Sequence, residues 1–544
     1  MKRIVIVGGV AGGMSAAARL RRLDAQSEIV VLEKSGHVSY ANCGLPYFVG
    51  GVISNEEALL LQNPESLYKR FRLDVRVDAE VIAIDRAGKK ITFIHNDVSE
   101  VLGYDKLILS PGAAPIHPNI PGIERAMSLR TIEDVETMAN SVAKIPKSAA
   151  VIGGGFIGLE LAENLRHRGI KTSIIEAQDQ LLAPLDPEMA TFVAAELRKN
   201  GVELYLRDSL TAINEHTVTL ASGAVVDAEI LIMSIGVRPE TALAKNAGIT
   251  IGERGGIQVN QFNLTNDPDI YAIGDAAEKK DSLDGTATLV PLANIANRHG
   301  RIVADHIAGM KIREIGTQGT AIVKIFDLTV ATSGWNEKRL VAANRPFVAI
   351  HSHPASHAGY YPGAQGMSLK LLVDPHTYQI LGIQGVGKEG VDKRIDVIAT
   401  AMRGGITAPE LADLELAYAP PFGSAKDPVN MLGYIAENVL SGLTPIAQWS
   451  DVEEKVSQGY SILDVRSVGE VDLGTLPGAI NIPIDEIRER KSEIPSGKIL
   501  VTCQVGQRGH AVTRLLREMG YDAINLDGGY MTWSNSPANN LLRE

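Results

Sequence analysis

The chain has 544 residues, which at roughly 150 residues per domain predicts three or four domains and excludes a single small binding module. Asp and Glu outnumber Lys and Arg by 64 to 53, and the net charge of −11 argues against a nucleic-acid partner, while 53 glycines point to an α/β protein rich in strand-to-helix turns. No apolar run approaches the ~20 residues that span a bilayer and the first strand meets glycine too soon for a signal peptide, so no membrane partner and a cytoplasmic location are expected. In chain order, Arg3 to Val7 reads as a buried strand, Gly8-Gly9-Val10-Ala11-Gly12-Gly13 as a glycine turn, and Met14 to Leu23 as a helix. A second strand, Glu28 to Leu32, ends in Glu33, which lies 20 residues beyond Gly13, the spacing at which a carboxylate meets a ribose hydroxyl. This is a dinucleotide-binding βαβ pattern in which Val10 replaces the middle glycine. The pattern recurs in full from Ala149 to Ile152 through Gly153, Gly155 and Gly158, a helix from Leu159 to Arg168, and a strand Thr172 to Ile175 ending in Glu176. Two copies in the right order imply two bound dinucleotides.

Further along, Leu107 to Gly112 and Ile230 to Gly236 read as strands ending in glycine, candidates for the crossings between the two nucleotide domains. Thr265, six residues, then Ala272-Ile273-Gly274-Asp275 forms T-x6-A-x-G-D. On these motifs residues 1 to about 440 resemble the flavoprotein pyridine nucleotide-disulfide reductases, in which that aspartate holds the ribityl chain of FAD. The resemblance implies that Gly8, Gly13, Glu33, Gly112 and Asp275 belong to FAD, and Gly153, Gly155, Gly158 and Glu176 to the nicotinamide cofactor. A carboxylate at Glu176 repels a 2′-phosphate, so NADH is expected, with NADPH left open by Arg166, His167, Arg168 and Lys171 nearby. The expected layout is an FAD-binding domain over 1–117 and 237–318 and a nicotinamide-binding domain over 118–236, both Rossmann-like. From about residue 320 alternating strands such as Ala321 to Phe326 indicate an α+β domain over 319–440, which in the resembled family makes the homodimer.

The chain has two cysteines, too few for a disulfide framework. Cys43 stands in Ser39-Tyr40-Ala41-Asn42-Cys43-Gly44-Leu45-Pro46-Tyr47 near a helix start, where a thiol is expected to ionise readily. The reductases with an internal CxxxxC disulfide carry a second cysteine here, and its lack means that Cys43 needs an external sulfur partner. This segment is similar to that of the coenzyme A-disulfide reductases, as is Tyr418-Ala419-Pro420-Pro421-Phe422-Gly423-Ser424-Ala425-Lys426-Asp427-Pro428. The resemblance implies that Ser39, Asn42, Ser15, Arg19, Arg22 and, more weakly, His299 contact the coenzyme A moiety of the substrate. It further implies that Tyr418, Lys426 and Tyr360 (with Tyr361 as the less secure alternative) reach the partner subunit's site, giving composite active sites in a homodimer. Two phenols could there donate to a leaving thiolate. Read without the resemblance, His299 is a surface residue and the Arg19 and Arg22 face is simply solvated.

A Gly/Pro-bearing stretch, Leu440 to Pro445, marks a boundary. Beyond it, a strand Ile499 to Thr502 leads into Cys503-Gln504-Val505-Gly506-Gln507-Arg508 and a helix from His510 to Met519, a loop of amides suited to an anion. With Leu463-Asp464-Val465-Arg466, Gly478 to Pro483 and Leu526-Asp527-Gly528-Gly529, residues 448–544 resemble an α/β rhodanese domain. There the cysteine holds a persulfide, which the loop amides and Arg508 would stabilise. No metal site is expected. The combined reading is an FAD-dependent NAD(P)H reductase of coenzyme A persulfide, polysulfide or coenzyme A disulfide, fed with sulfane sulfur by its rhodanese domain. Two rivals remain: an NADH oxidase or peroxidase working through a Cys43 sulfenic acid, whose peroxidase relatives carry a histidine in the first glycine loop, absent here, and a redox-sensing sulfur carrier.

Overall fold

The computed structural model describes residues 2–539, which fall into two compact units. The first comprises residues 2–179 with 201–318, and the second residues 180–200 with 319–539.

In the first unit a five-stranded parallel sheet runs in the order Ile270–Ala272, Lys106–Leu109, Arg3–Val7, Glu28–Leu32, Asp74–Arg76. Both of its faces are covered, which is why its three central strands run apolar after their first residue instead of alternating. Val5, Val7, Val30, Leu32, Leu107 and Leu109 pack on one side. Ile4, Ile6, Ile29, Val31 and Ile108 pack on the other, with Met14, Ala17 and Leu20 of the helix Ala11–Leu23. A second parallel sheet takes the order Val202–Leu206, Lys171–Glu176, Ser148–Ile152, Ile230–Met233, with the helix Phe156–His167 following its first strand. The two glycine-ended strands do lead into a crossing: Ala113–Pro115 pairs antiparallel with Val237–Pro239. Both nucleotide-type helices begin earlier than their apolar spacing predicts, inside the glycine run, at Ala11 and at Phe156. Periodicity cannot see glycine in a helix, whereas packing demands it: a Cβ on Gly13 would sit 1.9 Å from the Gly8 carbonyl oxygen, and one on Gly158 2.2 Å from that of Gly153.

The second unit holds an antiparallel sheet in the order Ala321–Ile325, Leu328–Gly334, Ile380–Gly387, Met367–Val373, Val348–Ser352. Helices Val391–Gly404 and Pro428–Leu440 close one face of it through Ile395, Ile398, Val429 and Leu432. The helix Pro187–Lys199 clusters with this unit, so the range 118–236 expected for the nicotinamide domain is interrupted at 180–200. Its anchor is polar: Gln384 donates to Asp186 at 2.7 Å and accepts from the Asp186 amide at 2.8 Å. A second, parallel sheet of this unit runs Ile446–Ala447, Asp522–Leu526, Lys498–Thr502, Tyr460–Asp464, Ile480–Asn481, with apolar clusters on both faces. Among the described residues no helix is long and apolar enough to cross a membrane.

Candidate functional site

The two glycine loops of the first unit are built alike. The Glu33 carboxylate accepts the Gly9 amide at 2.7 Å and the Ser35 amide at 3.0 Å, and the Glu176 carboxylate accepts the Gly154 amide at 2.7 Å and the Gln178 amide at 2.8 Å. Glu33 Oε1 also accepts Ser35 Oγ at 3.2 Å, which leaves Oε2 as the Glu33 oxygen with a lone pair for a ribose hydroxyl. Neither helix has a side-chain cap or an acidic residue in its first turn, so its leading amides are free to take a phosphate. A Cβ on Gly155 would meet nothing within 4 Å, whereas the corresponding place in the first loop belongs to Val10. Of the basic residues near Glu176, Lys171 is paired with Glu203 at 2.9 Å and Arg166 donates to the Ile170 carbonyl at 3.0 Å. Gly112 takes φ +76°, and a Cβ there would lie 3.2 Å from Arg130 Nη2. Asp275 is largely enclosed, and burial pushes its carboxyl up against the pull of Lys279 and Arg130. These features fit an FAD in the first loop and a nicotinamide dinucleotide in the second.

Cys43 lies on the turn Asn42–Gly44, which runs directly into the short helix Leu45–Val49 with Pro46 in its first turn. The Ser39 amide donates to the Gly9 carbonyl at 2.8 Å, tying this segment to the first glycine loop, and Ser39 itself sits at φ +50°. Strained backbone of this kind concentrates at functional sites. Asn42 Nδ2 reaches the Arg130 carbonyl at 3.5 Å. The Cys43 side chain is exposed, yet desolvation by its surroundings, then Glu160 and Asp275, push its thiol up from the ordinary value. Among the protein's own groups, desolvation and the two carboxylates set the direction at this thiol, opposite to the one expected of a thiol at a helix start against a flavin. Glu160, missed in the sequence, is on the helix Phe156–His167, accepts from Tyr47 Oη at 3.3 Å, and is pushed up to about 7 by burial. The only sequence signal for it is a carboxylate in the apolar run Phe156-Ile157-Gly158-Leu159-Glu160-Leu161.

The expected coenzyme A contacts are partly engaged. Ser15 Oγ donates to Asn297 at 2.8 Å, Arg19 Nε to Asp305 at 2.7 Å, and the Arg22 guanidinium lies 5.7 Å from the centre of the Phe71 ring. Arg22 is exposed. His299 corrects the surface reading: it is buried on the helix Ala293–Ile307, bonded through Nδ1 to Asn263 at 3.1 Å, and burial takes its pKa down to about 3, so the ring is neutral.

In the second unit the structure joins two residues 58 positions apart, Tyr360 Oη to Tyr418 Oη at 2.8 Å. Tyr360, Tyr361, Tyr418 and Phe422 are all exposed, Tyr360 by 76%, and Lys426 is exposed as well. The bond to Tyr418 pushes the Tyr360 phenol up.

Cys503 is fully buried at the end of the strand Lys498–Thr502, in the loop that opens the helix Gln507–Glu518. Its carbonyl accepts the Tyr530 amide at 2.7 Å, and that of Gln504 accepts the Met531 amide at 2.9 Å. Arg508 makes a two-pronged pair with Glu470 at 2.8 and 2.5 Å and interacts with the Cys503 sulfur as well. The pair holds the Glu470 carboxyl down at about 2. Arg466 is buried against Asp464 at 2.7 Å. Asp186, Glu188 and Glu337 are close enough to hold an ion, but the Lys370 ammonium bonds all three.

Two nucleotide-binding units beside a solvent-facing thiol, followed in the second unit by a parallel fold with a buried cysteine in a loop that opens a helix, define an oxidoreductase with an appended sulfurtransferase-type domain. The chain belongs to the pyridine nucleotide-disulphide oxidoreductase family, whose description matches residues 2–300, its dimerisation domain residues 320–428, and a rhodanese-like domain residues 448–536. It is 38% identical over 447 residues to the coenzyme A disulfide reductase of Staphylococcus aureus (strain JH9), covering 80% of this chain and 100% of that one. The reduced CoADR-RHD of Bacillus anthracis superposes with a TM-score of 0.97 at 47% identity, over 98% of both chains. An NAD-dependent persulfide reductase from A. fulgidus gives a TM-score of 0.93 at 35% identity, over 98% of this chain and 100% of that one.

Proposed function

We propose that the protein uses NADH to reduce the sulfur–sulfur bond of coenzyme A disulfide, coenzyme A persulfide or polysulfide at Cys43, and that Cys503 collects sulfane sulfur for it. One observation carries this reading: the chain's two thiols stand one beside a dinucleotide loop and one in an amide-lined loop, with no third to pair with either. The names of the similar proteins, a disulfide reductase and a persulfide reductase, support it.

An FAD held by Gly8, Gly13, Glu33, Gly112 and Asp275 would relay the electron pair of the nicotinamide to sulfur. Every other step belongs to side chains. Cys43 Sγ attacks one sulfur of the substrate, the sulfur–sulfur bond breaks, and the departing thiolate takes a proton; Tyr360 and Tyr418 of a second subunit are the proposed donors of hydrogen bonds to it. The mixed disulfide on Cys43, or the Cys43 persulfide formed when a persulfide or polysulfide is attacked at its outer sulfur, then accepts the electron pair and a proton, releasing the second thiol in the first case and sulfide in the other and restoring the Cys43 thiolate. Ser39, Asn42, Ser15, Arg19, Arg22, His299 and Lys426 are proposed to line the coenzyme A moiety; His299, being neutral and buried, acts by shape and hydrogen bonding. Glu176 favours NADH over NADPH, since Arg166 and Lys171 are already engaged. The family's dimerisation domain supports a homodimer, and unpaired thiols suit the reducing cytoplasm.

Anaerobic steady-state kinetics with NADH and each acceptor, sulfide release being followed, tests this. Turnover of a coenzyme A disulfide or persulfide is expected. Turnover of oxygen or peroxide alone, with none of the sulfur acceptors, would refute it.

A further inference from the structure

The strand Val348–Ser352 carries a buried histidine, and its partners lead to the Cys503 loop. The His351 amide and Nδ1 both face Asp527 Oδ2, at 2.9 and 2.7 Å, and Nε2 faces Glu188 Oε1 at 2.9 Å. With a carboxylate at each nitrogen, both ring N–H groups donate and the ring is an imidazolium. Burial opposes that charge, but the hydrogen bonds to Asp527 and Glu188 outweigh it and hold the pKa up at about 9.

Asp527 follows the strand Asp522–Leu526 and precedes two glycines in the left-handed region, Gly528 at φ +65° and Gly529 at φ +61°. The chain there presses on the loop: a Cβ on Gly529 would lie 2.3 Å from the Cys503 carbonyl oxygen and 2.8 Å from the Gly506 nitrogen. The next two residues carry the amides that bond the Cys503 and Gln504 carbonyls. Asn525, just ahead of Asp527, donates to the Gly506 carbonyl at 3.1 Å. Residues 525–531 are thus the platform on which the loop hangs, and His351 grips that platform at Asp527.

We infer that His351 is a positioning residue for Cys503: clamped between Asp527 and Glu188, it fixes the platform and through it the direction of the thiol against the loop amides. The inference rests on the reading of Cys503 as a sulfur acceptor. Glu188 and Lys370 keep their charges around the pKa of His351. Glu188 is held down by Lys370 and His351, and Lys370 is held up by Glu188, Asp186 and Glu337. His353, next along, is bonded to Ser368 at 2.9 Å and Thr532 at 2.7 Å and is neutral, its pKa taken down to about 3 by burial. His351 is therefore the group of this set that changes charge as pH passes about 9.

The test uses the full-length flavoprotein with Cys43→Ser, which leaves Cys503 as the single thiol, and inorganic polysulfide as the sulfur probe, persulfide on Cys503 being followed by mass spectrometry. Persulfide formation should fall as pH rises through about 9, and His351→Gln should form persulfide about tenfold more slowly at neutral pH with no such fall. The fall in the parent needs no substitution in the clamp, so a poorly folding variant does not blunt it. Absence of the fall, or its persistence in His351→Gln, overturns the inference. If polysulfide leaves no sulfur on Cys503 at any pH, the acceptor reading fails instead. The clamp is then judged by hydrogen exchange at the Tyr530 and Met531 amides, whose protection must drop through the same pH in the parent and be lost in His351→Gln; unchanged protection overturns it.

Discussion

Cys43 projects from a short turn into solvent with carboxylates as its charged neighbours, whereas Cys503 is buried in a loop of amides at a helix start with a guanidinium beside it. The first setting disfavours a thiolate, whereas the second brings a guanidinium to the sulfur. Desolvation, Glu160 and Asp275 together raise the Cys43 thiol, which lowers the fraction present as the nucleophilic thiolate. Exposure then serves to admit a bulky thiol. Burial at Cys503 excludes water and large thiols, which suits the small sulfur proposed for it.

The contrast is broken most severely by removing each thiol in turn. Cys43→Ser is expected to lower NADH-dependent reduction of coenzyme A disulfide by at least ~10³-fold, because no other group can form the mixed disulfide. Cys503→Ser should leave that rate within about twofold and abolish sulfur uptake by the rhodanese-like domain. Steady-state rates with the two variants, paired with mass spectrometry after exposure to polysulfide, check both halves. Equal loss of disulfide reduction in the two variants would end the division of labour.

A smaller effect comes from the guanidinium. Arg508→Met should slow persulfide formation on Cys503 by about tenfold, from the lost charge and from the Glu470 carboxylate that it leaves unpaired beside the loop. The double variant with Glu470→Gln should recover part of that rate. No recovery would mean that Arg508 acts on the sulfur alone and that its bond to Glu470 is incidental.

How far the sequence announces these settings depends on the distance over which each is made. Both cysteine segments, the glycine loops and the acids Glu33 and Glu176 are legible because strand, turn and helix follow one another within about 30 residues, where spacing reports geometry. The carboxylate beside Cys43 is not legible because Glu160 lies 117 positions away and enters through a helix of the other glycine unit. His299 looked exposed because nothing near it in the chain foretells Asn263. Tyr360 and Tyr418 were singled out through family resemblance, not through pattern, and neither their mutual hydrogen bond nor the His351, Asp527, Glu188 and Lys370 network has a sequence signal of its own.

The finest adjustment to the contrast is at Glu160. Its pKa of about 7 means that it is mostly ionised at pH 8, where it repels a developing Cys43 thiolate. Glu160→Gln removes a like charge while keeping a partner for Tyr47, so the Cys43 thiol should move down and its alkylation at pH 8 should quicken by about threefold. In the native protein the same alkylation rate should keep rising with pH above the ordinary thiol range, since a raised pKa delays ionisation. At pH 5, where Glu160 is protonated, variant and native rates should converge, because the carboxyl is then neutral in both. A difference that persisted unchanged at pH 5 would show that Glu160 acts on Cys43 through packing of the Tyr47 helix and not through its charge.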